Sequence, residues 1–438
     1  MLLKRVQPRD FEQRVAIVYP FPYLDSIPSL CNAARLLSQH GFGVDIFTRT
    51  SPHLEKPSFE ERRIQVFSHQ DKERLAQSLV QSLTKEGPNS HKTTRRLIRR
   101  LVETIKRFIP AACLRFLLSP MIVVDSVRDS VIIWRRHRQC PYRCFIGIDA
   151  HGLVHARQLL MFIKVPLAYW SLELLLSHEL QSHTELALKH KEIALSKKAP
   201  FIVIQDKGRA RLLAGNNGVP FQKFVLVPNA PLGPVHHQRL DYWHRRFGLP
   251  RHKKVVIHAG NIDAWTGIAD IVASVTSWPE DWVLVVHTRS DAKQSREIEE
   301  LRHRADSERI FFSVHPVPRA EYDDLIDSAD IGIAFYVLMP GSASTQENIR
   351  SIGLSSGKVA YYLRSGLPII INHTTSLRDL IKDGGCGVIV TGGQGIGQAL
   401  EEIAHHYEEY RANAYRCFEA KMDFTASFEQ VIESIERL

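Results

Sequence analysis

The hydrophobic positions of this chain fall into short apolar runs that alternate with longer amphipathic segments. The runs are rich in β-branched residues and have the length of buried strands, whereas the segments repeat hydrophobic residues at helical spacing. The first group is a strand at 14–23, a helix at 29–41 that ends at Gly41, and a strand at 42–50. Strand, helix and strand in this order predict a parallel sheet covered by helices.

The same alternation continues along the chain with one interruption at residues 228–234, where three prolines and a glycine give the strongest linker signal. The predicted fold class is α/β, with two Rossmann-like parallel-sheet domains facing a cleft, the first at 1–230 and the second at 235–420. One last long helical region is predicted at 397–420. The remaining strands are predicted at 143–152, 165–173, 201–206, 224–229, 254–260, 282–288, 309–316, 331–337, 367–372 and 386–391.

The overall composition is that of a globular protein and excludes several other classes. The chain has 438 residues, 44% of them hydrophobic and 24% charged, which argues against a disordered or fibrous protein. Its six cysteines are scattered and predict neither a disulfide framework nor a zinc pair. The first residues lack the apolar core of a secretory signal, so a cytoplasmic location is the expectation.

The positive charge is concentrated in one segment. Residues 88–143 hold 13 Lys and Arg against 3 Asp and Glu, which accounts for the whole net charge of +10. A basic amphipathic helix is predicted at 93–110, beside an apolar stretch too interrupted to span a membrane. We expect contact with an anionic membrane or an acceptor there, with a solvated helix face as the alternative; sparse aromatic residues argue against nucleic acid. The basic face carries Arg95, Arg96, Arg99 and Arg100.

A run of small residues precedes the helix predicted at 358–366. Bare N–H groups at a helix start favour a phosphate group, hydroxyls can donate to it, and a lysine adds charge. The run is not a Walker A motif, because Ile352 stands where that motif has its first glycine and Val359 follows the lysine. The alternative is an ordinary helix cap beside a surface lysine. The predicted phosphate-binding residues are Ser355, Ser356, Gly357 and Lys358.

Further candidates lie in loops after strands, where open α/β sheets bind their ligands. Gly260 and Asn261 follow the strand at 254–260, and glycine there permits a close backbone approach, although a tight turn explains the pattern equally. Three residues that we expect to converge on the cleft as catalytic candidates are Asp149, His151 and Glu173, with a structural role for the histidine as the alternative.

The glycine-rich run at 392–397 is similar to a dinucleotide fingerprint, but its place near the domain end favours a turn and helix cap. The sequence contains none of the common zinc-protease, nucleophile-elbow or clustered Cys/His motifs, and no metal site is expected. Phosphate positioning is thus the main chemical theme.

Together these segments resemble the retaining family-4 glycosyltransferases of the GT-B fold. The resemblance implies a nucleotide-sugar donor (UDP-, GDP- or similar) in the second domain, an acceptor on the first, retention of anomeric configuration, no metal or other cofactor, and a last helix at 421–438 that returns to the first domain. By position, His151 would touch the donor sugar and Gly260, Asn261, Ser355, Ser356 and Lys358 the diphosphate. The segments that carry the resemblance are 30–48, 202–220, 225–231, 255–272, 309–336 and 348–372.

The chain departs from the family pattern in the donor segment. Gly353 and Tyr361 stand where the family has paired glutamates, and Glu347 is the candidate replacement for the one that binds ribose. Asn261 and Thr266 replace two phosphate-binding cations, which leaves Lys358 as the main one. Tyr361 and Glu347 are retained among the predicted donor-binding residues.

The resulting hypothesis is a metal-independent hexosyltransferase that uses a lipid-linked or polysaccharide acceptor at the inner face of the plasma membrane, for a cell-envelope polysaccharide. Two alternatives stay open: a catalytically weak GT-B-like binding or scaffold protein, and a sugar-nucleotide epimerase on the same fold.

Overall fold

The structure, a computed structural model, describes residues 12–24, 27–50, 59–70, 111–288, 296–304, 308–315, 317, 321–339 and 346–438. Side chains in the helix that begins at Ala111 are described from residue 125 onward. The predicted basic helix at 93–110, with Arg95, Arg96, Arg99 and Arg100, therefore lies outside the described residues.

Two sheets of parallel strands organise the chain, as the sequence predicted. The first has seven strands in the order β3-β2-β1-β4-β5-β6-β7 and the second has six in the order β10-β9-β8-β11-β12-β13. In the first sheet the strands are β1 (Arg14–Tyr19), β2 (Gly43–Thr50), β3 (Ile64–Gln70), β4 (Tyr142–Ile148), β5 (Leu167–Trp170), β6 (Ile202–Ile204) and β7 (Phe224–Leu226). In the second they are β8 (Lys254–Ala259), β9 (Trp282–His287), β10 (Ile310–Ser313), β11 (Ile331–Ala334), β12 (Ile369–Asn372) and β13 (Gly387–Val390).

Helices connect these strands and cover both faces of the sheets. The longer ones are Pro28–Gln39, Ala111–Gln139, Asp149–Leu159, His183–Ser196, Lys207–Asn217, Arg296–Arg304, Gly357–Arg364, Leu377–Gly384, Ile396–His405, Tyr407–Lys421 and Phe424–Glu436. Short helices lie at Tyr242–Phe247, Ile268–Ser274, Tyr322–Asp327 and Gln346–Arg350.

Burial on both faces explains the sequence of the central strands. Val15, Ile17 and Val18 of β1 are fully buried, because parallel strands covered by helices expose neither side of the pleat. β1 pairs in parallel with β2 and with β4, and β8 pairs in parallel with β9 and β11. Each sheet thus presents the carboxyl ends of its central strands at one edge.

The contacts divide the chain into two compact units. The first unit comprises Met1–Trp170, Lys191–Ile202 and Ile432–Leu438, and the second comprises Ser171–His190 and Val203–Val431. Within the first unit, Arg143 of β4 donates to the carbonyl oxygen of Ile435 at 3.1 Å. The domain boundaries at 230, 235 and 420 stay a prediction from the sequence.

Three elements differ from the sequence predictions. β3 was not predicted, because only Ile64, Val66 and Phe67 of this edge strand are hydrophobic and no apolar run marks it. The apolar stretch after residue 110 is part of a helix of 29 residues, Ala111–Gln139, which continues past Pro120 although proline lacks the N–H group of a helix interior. The helical region predicted at 397–420 is divided at His406, where no glycine or proline signals a break.

In the part of the chain that the structure describes, no helix combines the length and the apolar character needed to cross a bilayer.

Candidate functional site

The candidate site is built at the carboxyl end of β8, in the second unit. Gly260 follows this strand with a φ of 151°, in the region that favours glycine. Its N–H donates to the carbonyl oxygen of His287 at the end of β9, at 2.9 Å. A Cβ at Gly260 would lie 3.3 Å from Cε and 3.4 Å from Nζ of Lys358, so the absence of a side chain lets the lysine approach the backbone.

Lys358 reaches this place from the first turn of the helix Gly357–Arg364. Its Nζ is buried and has no hydrogen-bond partner among the described residues. The Nζ lies 5.1 Å from the centre of the Tyr336 ring, which favours a cation over its face. Burial lowers the pKa of Lys358 to about 8. A buried amine held without a partner is a strong candidate for binding an anion, because an anion would remove the cost of its isolation.

His258, in β8, is a fully buried neutral neighbour of this lysine. Its Nε2 lies 3.2 Å from the carbonyl oxygen of Asn261, which assigns the proton to Nε2. The Nδ1 atom is buried and has no partner among the described residues. Burial first, and then the charge of Lys358, lower the pKa of His258 to about 3. His258 is therefore an uncharged group that holds the loop after β8.

The serines of the small-residue run are engaged within the turn. The Ser355 hydroxyl donates to the carbonyl oxygen of Ile352 at 2.5 Å, and the Ser356 hydroxyl lies 2.6 Å from the Tyr336 hydroxyl. No side chain caps the helix that begins at Gly357. The Asn229 side chain lies beside this helix start, where its Nδ2 donates to the carbonyl oxygen of Ser355 at 3.1 Å.

The structure explains why residue 353 is a glycine and not the glutamate of the glycosyltransferase pattern that the sequence resembles. Its φ is +32°, and a Cβ there would lie 2.7 Å from Oδ2 of Asp206. Asp206 accepts from the N–H of Leu354 at 3.3 Å with that oxygen and from the N–H of Arg209 at 2.9 Å with the other. A carboxylate from another segment of the same unit thus occupies the space that a side chain at 353 would need.

Two other predicted donor-binding residues have protein partners. Tyr361 is 7% exposed, and its ring packs edge-on against Tyr322 at 4.9 Å and under the Arg364 guanidinium at 5.2 Å. Glu347 accepts from Arg350 at 2.6 Å, and its N–H donates to Glu179 at 2.8 Å. The structure records these contacts and leaves their role toward a ligand a prediction.

In the first unit, the loop after β4 is constrained by close packing. Asp149 has a φ of 54°, the one positive φ of a non-glycine residue in the described chain. A Cβ at Gly152 would lie 2.4 Å from the carbonyl oxygen of Val18, so the helix Asp149–Leu159 can approach β1 only with glycine there. His151 is exposed, and its ring lies 5.2 Å from that of Phe21 in an edge-on contact. A strained residue beside an exposed histidine at a strand end is a feature of functional loops.

The third catalytic candidate belongs to the second unit. The side chain of Glu173 is 72% exposed and lies 3.9 Å from Nη2 of the buried Arg209. Asn348 also accepts from Nη2 of Arg209, at 2.9 Å. The guanidinium of Arg209 is thus held by Asn348 and lies close to the exposed carboxylate of Glu173.

Sequence reasoning missed Tyr336 and Asn372 as parts of the site. Tyr336 follows β11, and its backbone exchanges two hydrogen bonds with the amide of Asn372, at 3.0 and 2.7 Å. The Trp265 ring is stacked on Tyr336 with ring centres 5.9 Å apart. Their signal was position, since Tyr336 and Asn372 lie at the carboxyl ends of neighbouring strands. No group of three or more metal-binding side chains exists among the described residues.

Two Rossmann-like parallel sheets with interleaved helices are the architecture of the GT-B fold. Residues 342–424 match the family model "Glucosyltransferase 3-like, C-terminal domain". The matched residues include Lys358 and the helix Gly357–Arg364. No curated protein matches the chain by sequence.

The chain is similar in structure to several solved glycosyltransferases. Sucrose-phosphate synthase (tll1590) from Thermosynechococcus elongatus has a TM-score of 0.62 and 16% identity, covering 97% of this chain and 98% of that one. Anabaena Alr3699/HepE in complex with UDP and glucose has a TM-score of 0.64 and 11% identity, covering 97% and 100%. An alpha,alpha-trehalose-phosphate synthase (UDP-forming) from Burkholderia vietnamiensis has a TM-score of 0.57 and 10% identity, covering 97% and 100%. At these identities the likeness establishes the fold.

Proposed function

We propose that this protein is a glycosyltransferase that takes a sugar from a nucleotide-sugar donor bound in its second unit. The observation that carries the proposal is the buried Nζ of Lys358, which lacks a partner among the described residues and lies against Gly260. A diphosphate would provide the missing counter-charge, and the uncapped start of the helix Gly357–Arg364 would add backbone N–H groups. Support for the nature of the donor comes from HepE, whose structure contains UDP and glucose.

In the proposed reaction the protein stabilises the leaving diphosphate. As the bond between the sugar and the diphosphate breaks, negative charge grows on the phosphate oxygens, and Lys358 with the helix N–H groups would stabilise that charge. His258 stays neutral because of its low pKa and therefore leaves the charge of Lys358 available to the phosphate. By the resemblance, the acceptor proton passes to the leaving phosphate and the configuration is retained.

The acceptor side of the proposal rests on the first unit. We assign a lipid-linked or polysaccharide acceptor to it, with His151 at the donor sugar and Asp149 shaping the strained loop beside it. Glu173, an exposed carboxylate of the second unit, is retained as the third proposed catalytic residue. A role in cell-envelope polysaccharide synthesis follows the same resemblance.

One observation favours a second candidate, a binding or scaffold protein with weak catalysis. The family's paired glutamates are absent, and Asp206 occupies the space that a side chain at 353 would need, so a glutamate cannot enter there without displacement. A protein of this second kind would bind the nucleotide-sugar without turning it over.

A ligand panel tests the proposal directly. A thermal-shift series with UDP, GDP, ADP and dTDP and their glucose conjugates should raise the melting temperature for one nucleotide family, since only the native state binds. Release of that nucleotide from its sugar conjugate, with and without membrane extract, should then separate a transferase from a binding protein. Stabilisation by none of the nucleotides would reject the proposal.

Replacing Gly260 with alanine should reduce both stability and nucleotide binding. The new Cβ would adopt an unfavourable φ, at a cost of about 1–2 kcal/mol, and would press against Cε of Lys358. Chemical unfolding and nucleotide titration measure the two effects. Gly233→Ala is the matched control, because Gly233 also has a positive φ of 93° but no atom within 4 Å of its Cβ position. Equal loss of binding in both variants would contradict the assigned contact.

A further inference from the structure

The outward face of the helix Ala111–Gln139 combines exposed hydrophobic and basic side chains. Val127 and Trp134 are 41% and 37% exposed, and their spacing of seven residues places them on one side of the helix. Arg128, Arg135 and Arg138 are exposed beside them. These five residues are called the basic-aromatic face.

The two acidic residues of this helix, Asp125 and Asp129, lie on its other side, toward His69. Asp129 is buried and accepts from Nε2 of His69 at 2.8 Å, and Asp125 lies 3.8 Å from the other ring nitrogen of His69. Both carboxylates therefore serve the contact between the helix and β3. Between residues 126 and 139 the exposed side of the helix carries Arg128, Arg135 and Arg138 and no acidic residue, and no ion pair of these arginines is found within the part of the chain that the structure describes. A helix face that is merely solvated usually carries both signs of charge.

Trp134 and Arg138 form a pair suited to an interface between water and lipid. The guanidinium of Arg138 lies 5.1 Å from the centre of the indole ring, in cation–π geometry. Tryptophan favours the headgroup level of a bilayer, and arginine can keep its charged end in water while its stem lies on apolar surface. The pair thus offers an apolar body and a charged rim at one place.

A turn that packs against the same helix exposes two more hydrophobic side chains. The turn Leu160–Phe162 packs against this helix, and Leu160 and Ile133 are buried in one cluster. Met161 and Phe162 in the same turn are 49% and 54% exposed. Large hydrophobic side chains exposed together mark interaction sites more often than ordinary surface.

We propose that the basic-aromatic face and the exposed turn beside it dock this protein onto an anionic phospholipid bilayer. The charge sign fits the headgroups, and the exposed tryptophan, valine, methionine and phenylalanine are of a kind that enters the headgroup boundary. Nucleic acid would use the arginines without the aliphatic side chains, and an acidic protein partner would be recognised independently of lipid. The inference does not depend on the glycosyltransferase proposal, and it uses residues distinct from the predicted helix at 93–110.

Vesicle flotation of the full chain tests the proposal. Binding is measured to vesicles of phosphatidylcholine alone and of phosphatidylcholine with 30% phosphatidylglycerol (about that fraction suffices for a strong surface potential). Arg128→Gln, Arg135→Gln and Arg138→Gln together should weaken binding to the anionic vesicles about hundredfold at low salt, from about 1 kcal/mol per charge. Val127→Ser with Trp134→Ser should weaken it roughly tenfold at any salt. Binding in low salt to phosphatidylcholine alone should be far weaker.

A matched control removes the same charge elsewhere. Arg211, Arg245 and Arg251 are exposed residues of the second unit, and their joint replacement by glutamine should leave flotation unchanged. Wild-type flotation that survives both face variants, or that falls equally in the control, would overturn the proposal. Flotation that survives both face variants would mean that another segment of the chain contacts the membrane.

Fluorescence gives a readout that a folding defect cannot imitate. Brominated phosphatidylcholine in the anionic vesicles should quench part of the tryptophan emission of the wild-type protein, and this part should be absent in Trp134→Phe. Quenching that persists in that variant would place a different tryptophan in the lipid and overturn the assignment. Sedimentation of the free protein measures self-association. If the wild-type protein forms dimers and the face variants are monomers, this surface is a contact between copies and the membrane proposal is overturned.

Discussion

Replacing Lys358 with methionine should weaken binding of a nucleoside diphosphate by about tenfold to hundredfold. The loss follows from one charge-assisted contact worth roughly 1.5–3 kcal/mol at a buried site. Methionine keeps much of the length and the apolar stem, so the packing against Tyr336 and Gly260 is largely preserved. Isothermal titration with the nucleotide chosen by the ligand panel measures the difference.

The matched control is Lys382→Met. Lys382 is an exposed lysine near the end of the helix Leu377–Gly384, so it removes the same charge from the same unit without touching the site. An affinity unchanged in Lys358→Met, or reduced equally in Lys382→Met, would refute the proposed role.

The same lysine predicts how binding depends on pH. Without ligand its pKa is about 8, whereas a bound diphosphate would favour the charged amine and raise that pKa. Binding above pH 8 must therefore take up a proton, and affinity should fall as pH rises from 8 towards 10. This decline should be absent from Lys358→Met. A wild-type affinity that is flat across this range would show that the amine does not meet the ligand's charge.

Lys358 should also cost stability in the absence of ligand. Its ordinary pKa of 10.5 applies to the unfolded chain, so below pH 8 the folded protein must hold a buried charge that water would solvate better. At pH 7 the free energy of unfolding of Lys358→Met should accordingly exceed that of the wild-type protein by about 1–3 kcal/mol. The difference should shrink from pH 8 to pH 10.5, where the unfolded wild type binds the extra proton. A residue that binds ligand and weakens the empty protein is typical of a functional site.

The sheets could be predicted from the sequence because burial on both faces leaves long apolar runs. β8, β9 and β12 show this pattern directly, whereas β3 was missed because this edge strand is mostly polar and contains no long apolar run. The helix Ala111–Gln139 escaped because proline is a strong sign of a helix end, and here the helix continues past it.

The site was predictable only where chemistry and chain position coincide. Gly260 and Lys358 are 98 residues apart, yet both stood out in loops or helix starts beside strands. The structure brings them so close that a Cβ at Gly260 would lie 3.3 Å from Cε of Lys358. Tyr336 and Asp206 also follow strands, but their chemistry did not distinguish them in the sequence. Tyr336 looks like the end of an apolar strand, and Asp206 looks like an ordinary helix cap until its second oxygen is seen to fill the space at Gly353. Contacts of this kind depend on three-dimensional packing, which periodicity does not encode.

Asp45 is the centre of a buried ion cluster in the first unit, and the sequence patterns did not predict it. It is fully buried in β2 and accepts from Arg14 of β1 at 2.9 Å, from two nitrogens of Arg136 at 2.7 Å, and from the Tyr142 hydroxyl at 2.5 Å. These partners join β1, β2 and β4 to the helix Ala111–Gln139, which carries the basic-aromatic face. Burial and the neighbouring carboxylate raise the pKa of Tyr142, so its hydroxyl stays a donor.

Asp45→Asn should therefore lower the free energy of unfolding by about 3–5 kcal/mol, because it leaves two buried or half-buried arginines without their shared counter-charge. Urea unfolding followed by circular dichroism measures the loss. Asp281→Asn is the control, since Asp281 pairs with Lys254 at 3.1 Å on the surface and its removal should cost under about 1 kcal/mol. A loss at Asp45 no larger than in the control would mean that the arginines find other partners. Because Asp45 also fixes the helix, its loss should weaken vesicle binding in parallel, through the position of the helix and with no change of exposed charge.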